Sequence, residues 1–389
     1  MHDLIFVSME DWDEVWRRNQ FLCAELVRRD PHLKILFVGV HRNVARFLRA
    51  GKARELFGNP TWAVPDLPGI SVTRALRLAP ERYGWGRRLN EGISRHHVRR
   101  VARQVGIRCP VLWLNPHYAV HMIGRMDEAA VVYDVTDDWT SLPQPAHLKQ
   151  LVAAQDAALC RRADAVIVCS ERLYEMKKPL AKRLYLIPNG VDCAHYATVG
   201  DRSLPLPPSV ANWPRPVLGY TGSIHPDRVD LKLVADLAKA LTHGAIALVG
   251  PDMLPPSARS DLERLGNVFF TGPVPYRDLP DYMRAFDVCI TPHRVSAFTE
   301  SLNPIKLWEY LAAGKPIVST NVAGFRDYPH LVRIAEGPDQ FLRAVQEALQ
   351  ENPSLSAQRQ EIARAHSWES RLDQVEEVLK AVGCEAVRL

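Results

Sequence analysis

The chain has 389 residues, of which 47% are hydrophobic and 24% are charged, and its formal net charge is +5. This balance indicates a globular protein with room for two separately packed domains, and it excludes a disordered or fibrous chain. The opening MHDLIFVSM is too short for a secretory signal, and no apolar run reaches membrane-spanning length, so we expect a cytosolic protein. Seven scattered cysteines without a CxxC pair favour reduced thiols over disulfides or zinc.

The first half of the chain alternates short apolar runs with helical patterns such as EVWRRNQFLCAELVRRD. The predicted strands are DLIFVSM, KILFVGV, CPVLWLN, AAVVYDV, DAVIVCS and KRLYLIPNG. Alternation of this kind predicts an α/β fold with a parallel, doubly wound sheet. A proline-rich segment from Gly200 to Pro216 then predicts a linker between two domains.

Positive charge is concentrated in one segment of this half. From Arg74 to Arg108 there are ten arginines against Glu81 and Glu91, with Tyr83 and Trp85 among them. One interpretation is a solvated helix face. The other is a patch for anionic lipid head groups of the inner membrane leaflet or for a phosphorylated acceptor. Nucleic acid is not expected as a partner, because no nucleic-acid-binding motif accompanies the patch.

After the linker the pattern restarts, with predicted strands VLGYTG, AIALVG, VFFTG, DVCITPH, PIVST and LVRIA. The sequence therefore predicts two Rossmann-like domains, at residues 1–200 and 213–366. Ligands of such sheets bind beyond the carboxyl ends of the strands, so we expect the site in a cleft between the domains. An amphipathic helix at residues 367–389 is predicted to return to the first domain.

The stretch NPIKLWEYLAAGKPIV predicts a helix that begins with Asn303 as N-cap and Pro304 in the first turn, and ends at Gly314. Lys306 then lies in the first turn, where the helix dipole is already positive, so a cation there is unfavourable unless an anion is nearby. In GYTGSIHPDRVD, Gly222 permits close backbone approach, and Ser223 offers a hydroxyl and an N–H to phosphate oxygens. A dinucleotide site is not expected, because neither half has GxGxxG after its first strand.

Together, LIPNGVDCAHY at the domain junction and PIKLWEYLAAGKPIV in the second domain resemble GT-B glycosyltransferases, especially family 4-like enzymes of bacterial polysaccharide assembly. SMEDWDEVWRRNQF and VVYDVTDDW are similar to a branch with teichuronic-acid-type transferases. More distantly, VYDVTDDW followed by PIKLWEY resembles the glucuronosyltransferase of xanthan assembly.

The resemblance implies two facing Rossmann-like domains and a nucleotide-sugar donor bound by the second one. Lys306 would neutralise the leaving diphosphate and Glu309 would accept hydrogen bonds from ribose hydroxyls; the alternative for this pair is a surface ion pair. The implied donor-binding residues are Gly222, Ser223, Arg228, Tyr276, Ser301, Asn303, Lys306 and Glu309. Arg228 is equally compatible with a plain surface charge.

One departure from the family pattern concerns the transferred sugar. Many family members have a first glutamate eight positions before the one matched by Glu309, and here that position is Ser301, with Glu300 beside it. Because that glutamate normally contacts the sugar, neither the sugar nor the stereochemical outcome follows from the resemblance.

Acceptor-side residues are implied in the first domain. Alignment with the xanthan enzyme places a catalytic base on Asp137, with Asp138 in reserve, while Asp134 would support the strand end. Adjacent aspartates before Trp139 are also typical of a helix cap. Trp12, Arg17 and His117 follow first-domain strands and are candidates for the acceptor side.

The function predicted from these residues is transfer of a hexose-type sugar from a nucleotide-sugar to a saccharide or polyprenyl-linked acceptor, in the cytoplasm or peripherally on the inner membrane. We expect no metal and no cofactor beyond the nucleotide-sugar co-substrate, since the helix dipole and Lys306 do the work of a divalent ion. Two alternatives stay open: a nucleotide-sugar 2-epimerase of the same fold, and a non-catalytic sugar-nucleotide or polysaccharide binding protein.

Overall fold

The computed structural model describes residues 2–51, 60–142, 144–201 and 203–386. The chain divides into two compact units. Unit 1 comprises the residues up to Asp13, residues Arg17–Pro188 and the carboxyl-terminal helix from Leu372. Unit 2 comprises Glu14–Trp16 and Asn189–Arg371.

An eight-stranded sheet forms the centre of unit 1, in the order β10-β9-β8-β7-β1-β2-β5-β4. Its strands are β1 (Leu4–Val7), β2 (Ile35–Val38), β4 (Thr61–Val64), β5 (Leu67–Thr73), β7 (Val111–Leu114), β8 (Ala130–Val135), β9 (Ala165–Val168) and β10 (Leu184–Leu186). The short strands β3 (Arg42–Asn43) and β6 (Leu76–Arg77) pair separately. All sheet pairs are parallel except β4 with β5.

The six strands predicted for this half are confirmed. Five of them are fully buried because helices cover the sheet, which is why they read as continuous apolar runs, and β10 at the edge is half-buried. The antiparallel pair β4 and β5 was not predicted. Pro65 and Pro68 interrupt its apolar pattern, and proline in a run argues against a strand.

The helices of unit 1 are α1 (Arg18–Arg29), α2 (Val44–Arg49), α3 (Gly84–Gln104), α4 (Ala146–Arg162), α5 (Glu171–Lys177) and most of α13 (Trp368–Ala386). Helix α1 begins later than EVWRRNQF predicts, because a capping box starts it: the Arg17 N–H donates to Gln20 Oε1 at 3.1 Å. Helix α13 is tied to α1 by Arg29, whose Nη1 lies 2.6 Å from Asp373 Oδ1.

Six parallel strands form the sheet of unit 2, in the order β13-β12-β11-β14-β15-β16. They are β11 (Val217–Thr221), β12 (Ala245–Val249), β13 (Val268–Gly272), β14 (Val288–Thr291), β15 (Ile317–Thr320) and β16 (Arg333–Ala335). All six were predicted. The order reverses between β11 and β14, and such a switch point is where parallel α/β sheets bind ligands.

The helices of unit 2 are α6 (Cys193–Tyr196), α7 (Leu231–Ala240), α8 (Pro256–Glu263), α9 (Leu279–Arg284), α10 (Ile305–Ala312), α11 (Pro338–Leu349) and α12 (Ser354–Ala365). The predicted division after residue 200 falls inside this unit, because Tyr196 packs in its core. No helix in the described parts of either unit is long and apolar enough to cross a membrane.

Candidate functional site

The switch point of unit 2 brings the start of helix α10 against the end of strand β11. Gly222 follows β11 with a φ of +117°, which favours glycine, and its N–H donates to Val249 O at 2.9 Å. A Cβ added at Gly222 would lie 3.2 Å from Lys306 Nζ. A side chain at this position would therefore crowd the lysine and strain the backbone.

Two neutral groups hold the ammonium of Lys306. Its Nζ donates to the hydroxyl of Tyr220 at 2.7 Å, lies 4.0 Å from the centroid of that ring, and is 3.3 Å from His293 Nε2. Tyr220 is on β11, and His293 follows β14, so the two strands of the switch point supply one contact each. Neither residue was predicted to be part of the site. The position of His293, at the end of the predicted strand DVCITPH, could have identified it as a candidate.

The electrostatics of this cluster are those of an anion site. Burial and, to a smaller extent, the nearby charge of Arg228 lower the pKa of Lys306 to about 7, against an opposing effect of Glu309. Burial and the charges of Lys306 and Arg228 hold the pKa of His293 well below its usual value. A bound anion would attract both Lys306 and Arg228 and so offset the repulsion between them.

The start of α10 differs from the prediction. Pro304 occupies the N-cap position and has no side-chain oxygen to accept from the first-turn N–H groups. Asn303 is not the cap, because its Oδ1 accepts from the Asn189 N–H at 2.8 Å and from Trp308 Nε1 at 3.3 Å. Asn189 of the PNGVD motif thus holds the loop before α10, and no side chain of the N-cap residue covers the first turn, where only the Leu307 N–H is bonded, to Pro304 O at 3.1 Å, among the described contacts. Gly314 ends the helix region at a φ of +65°, as predicted.

Glu309 lies one turn after Lys306 and is only 9% exposed. The hydroxyl of Tyr196 donates to its Oε1 at 2.9 Å, while burial raises the pKa of the carboxyl group. Such burial argues against the surface ion pair that the sequence left open. Glu309 is instead a buried hydrogen-bond acceptor, held in place by Tyr196, the last residue of the junction motif LIPNGVDCAHY.

The other predicted donor residues lie around this centre with different contacts. Arg228 is partly buried, with its guanidinium 5.1 Å from the centroid of Phe298. Ser223 is at the same turn as Gly222, and its carbonyl accepts from the Tyr220 hydroxyl at 3.2 Å. Ser301 is fully buried and donates to Phe298 O at 2.8 Å, which gives it a structural role before α10.

Tyr276 belongs to an aromatic group at a different loop. Its ring stacks on His195 at 4.0 Å and on Trp16 at 5.8 Å between centroids. Its N–H donates to Glu14 O at 2.7 Å, and its carbonyl is 2.9 Å from His195 Nε2. These contacts fix the backbone of the loop that the resemblance assigns to the base.

In unit 1, the three aspartates around the end of β8 have different environments. Asp134 is fully buried and binds Arg18 through both carboxylate oxygens, at 3.1 and 3.2 Å. Asp138 is 4% exposed and accepts from the N–H and hydroxyl of Thr140 and from the hydroxyl of Ser141. Asp137 is half-buried, and its Oδ2 accepts from the Thr136 hydroxyl at 3.3 Å. Asp138 therefore shapes the turn, whereas Asp137 has the more accessible carboxylate.

The candidates for the acceptor side are spread over unit 1. Trp12 packs edge-on against Phe37, with 5.1 Å between centroids. Arg17 pairs with Glu10 at 3.6 Å and with Asp13 at 3.3 Å. His117 lies with Nδ1 2.9 Å from Gln155 Oε1, and burial lowers its pKa.

Comparisons of the sequence with known proteins find similarity to glycosyltransferases. Residues 215–351 match the family model for glycosyl transferases group 1. The putative teichuronic acid biosynthesis glycosyltransferase TuaH of Bacillus subtilis is 28% identical over 265 residues. That alignment covers 63% of this chain and 65% of the relative, so it spans slightly less than two thirds of either protein.

Solved structures match over nearly the whole chain. Sucrose-phosphate synthase from Thermosynechococcus elongatus has a TM-score of 0.73 at 16% identity, covering 99% of this chain and all of that one. Anabaena HepE in complex with UDP-glucose has a TM-score of 0.66 at 18% identity, covering 98% of this chain and all of that one. The chain therefore has the GT-B fold, and its residues 215–351 match the model for glycosyl transferases group 1, in agreement with the resemblance that the sequence motifs indicated.

Proposed function

We propose that the protein transfers a sugar from a nucleotide-sugar donor to a saccharide or lipid-linked acceptor in polysaccharide or glycolipid biosynthesis. The observation that carries this proposal is the arrangement of Lys306 and Arg228, two cations that repel each other, at a sheet switch point and at a helix start whose N-cap residue has no side-chain oxygen. A diphosphate has the charge and the acceptor oxygens that this arrangement lacks.

Lys306 would act on the step in which the glycosidic bond breaks. The bond from the sugar to the β-phosphate oxygen breaks, the electron pair stays on the diphosphate, and the added negative charge develops beside the ammonium and the α10 N–H groups. Tyr220 and His293 hold Lys306 in this position before the donor arrives. We propose that the ammonium form of Lys306, which the bound diphosphate favours, replaces a divalent metal.

The remaining assignments follow from the same proposal. Asp137 would remove the proton of the acceptor hydroxyl as the new bond forms, and Asp138 would keep its turn in place. Trp12, Arg17 and His117 are proposed to contact the acceptor. Because HepE is known in complex with UDP-glucose and TuaH is named for teichuronic acid biosynthesis, we propose a UDP-sugar donor and a polymer-precursor acceptor, with the Arg74 to Arg108 segment at the inner leaflet.

The test is donor consumption by the purified protein. UDP-hexoses are incubated with EDTA, with and without membrane extract, and products are separated by chromatography. We expect UDP release that depends on the extract, persists in EDTA and is lost in Lys306→Ala. Loss of activity in EDTA would refute metal independence. Epimer formation from donor alone, or binding without any turnover, would overturn the transferase assignment itself.

A further inference from the structure

Unit 1 contains a large basic cavity beside helix α3. Its volume is about 1080 Å³, and six of the described lining residues are arginines: Arg95, Arg99, Arg100, Arg103, Arg125 and Arg162. Among the described lining residues none is acidic, and His96 and His121 complete the polar part. Helix α3, the loop at Arg125 and the end of helix α4 thus all contribute guanidinium groups to the cavity.

Part of the cavity lining lies at the opposite edge of the sheet from the proposed acceptor residues, although Val120 and His121 belong to the same helical turn as His117. Arg103 is at the end of α3 and leads into the amino end of β7, while Arg162 ends α4 just before the amino end of β9. Asp137 and His117 instead follow the carboxyl ends of strands. Because reacting ligands of parallel sheets bind at carboxyl ends, this cavity suits a second ligand or a second part of one.

The positive charge here is costly in the free protein. Arg95, Arg99 and Arg103 are spaced four residues apart on α3, so like charges face each other along the helix. Asp127 is the described ion-pair partner of two of them, at 3.2 Å from Arg99 and 3.6 Å from Arg103, and it is itself 67% exposed. Burial and the charge of Arg95 lower the pKa of His121 to about 4, so the histidine stays neutral beside the arginines.

Two of the arginines are already held in place. Arg162 Nη2 donates to Ile123 O at 3.1 Å, and Arg95 Nη1 lies 3.5 Å from His121 Nδ1. Arg95 and Arg103 are eight residues apart, which is about 12 Å along a helix. A single phosphate cannot reach all of these guanidinium groups, but two or more phosphates can, each in the bidentate geometry that arginine favours.

We propose that this cavity binds a ligand with at least two phosphate groups, supplied either by a soluble polyphosphorylated molecule or by neighbouring head groups of an anionic membrane. Both sources present phosphate groups to the arginines, but a membrane would also contact apolar side chains near the cavity. Trp85 is 62% exposed and Leu89 is 48% exposed at the start of the same helix, and of the two sources the membrane is the one that would bury them. The proposal concerns binding alone, so it does not depend on sugar transfer.

The experiment compares two charge-matched double variants of the full chain. Arg125→Gln/Arg162→Gln removes two charges from the cavity, and Arg161→Gln/Arg172→Gln removes two from exposed positions outside its described lining. Binding of inorganic tripolyphosphate is measured by calorimetry, and binding to phosphatidylglycerol vesicles by flotation. Thermal melting verifies that both variants fold, and intact Lys306 keeps the other anion site constant.

We expect the cavity variant to bind one of the two probes about tenfold more weakly, and the control to bind like wild type. Weakening for tripolyphosphate assigns a soluble ligand. Weakening for vesicles, together with a similar loss in Trp85→Ala, assigns membrane head groups. Equal binding of both probes by the two double variants, or no binding of either probe by wild type, overturns the proposal. A Lys306→Ala variant that loses transfer but keeps this binding separates it from the proposed function.

Discussion

Lys306 Nζ and His293 Nε2 lie 3.3 Å apart, so a positive charge on the lysine opposes protonation of the histidine. Burial lowers both pKa values, the lysine's to about 7. The free site is therefore poised near neutral pH between a cationic and a neutral lysine. An arriving diphosphate favours the cation, so proton uptake and donor binding are coupled.

The first prediction is a pH dependence of donor affinity. Because a bound diphosphate raises the pKa of Lys306 above about 7, affinity is highest below that pH and falls as pH rises through it, by up to about tenfold per pH unit. The probe is a UDP-hexose, since its diphosphate does not titrate in this range. Calorimetry from pH 6 to 9 measures the dissociation constant.

The control for this dependence is Lys306→Arg, because arginine keeps its charge over the whole range. We expect weaker but nearly pH-independent binding by this variant. A wild-type affinity that stays constant from pH 6 to 9 would contradict a lysine that titrates near 7.

The second prediction is a gain in stability when Lys306 is replaced by methionine. The folded-state pKa lies below the ordinary value of 10.5, so the unfolded chain binds this proton more tightly and wild-type stability rises from pH 7 to 10.5. Lys306→Met should raise the free energy of unfolding at pH 7 by about 1 kcal/mol and the melting temperature by about 2–4 °C. Donor binding should be lost.

Melting curves at pH 7 and pH 10 measure both parts of this prediction. The difference between variant and wild type should shrink at pH 10, where the lysine is neutral in the folded protein. A variant that is less stable than wild type at both pH values would show that Lys306 contributes more through packing than it costs through burial of charge.

The third prediction concerns Glu309 and the donor ribose. We expect Glu309→Gln to weaken UDP binding about tenfold, because a charged hydrogen-bond acceptor is replaced by a neutral amide. Tyr196→Phe, the matched control, removes the 2.9 Å contact to Oε1 without changing charge and should weaken binding less.

A ligand comparison locates the effect. Wild type should bind 2′,3′-dideoxy-UDP about tenfold more weakly than UDP, whereas Glu309→Gln should bind the two equally, since the partner of the missing hydroxyls is already gone. If the variant still discriminates between the two nucleotides as wild type does, Glu309 is not the ribose acceptor.

Much of the fold could be read from the sequence, because strands buried on both faces produce uninterrupted apolar runs. β11 and β14 are examples, and both were predicted. The pair β4 and β5 could not be found in this way, since prolines break its pattern and its antiparallel pairing at the sheet edge has no apolar signature.

The site was only partly readable for a different reason. Lys306 was found because a cation in the first turn of a helix conflicts with the helix dipole, and that conflict is local in sequence. Tyr220 and His293 were missed because their role arises from contacts across 86 and 13 residues, which the spacing of the chain does not encode. Asn303 was misassigned as a cap for the same reason, since its partner Asn189 is 114 residues away.

The fourth prediction separates the neighbouring aspartates Asp137 and Asp138. Asp138 is 4% exposed and accepts three side-chain or main-chain hydrogen bonds from Thr140 and Ser141, so Asp138→Asn should lower the free energy of unfolding by about 1–3 kcal/mol. Asp137 is half-buried, so Asp137→Asn should leave stability nearly unchanged. As the proposed general base, Asp137 should account for about 10²- to 10⁴-fold in kcat.

The free energy of unfolding in urea and kcat, each measured for Asp137→Asn and for Asp138→Asn, separate these roles. The proposed assignment requires Asp137→Asn to be stable and slow, and Asp138→Asn to be destabilised but active wherever it remains folded. Full activity in Asp137→Asn would mean that another group takes the acceptor proton. A folded Asp138→Asn with the greater loss in kcat would move the base by one residue and leave Asp137 without a catalytic role.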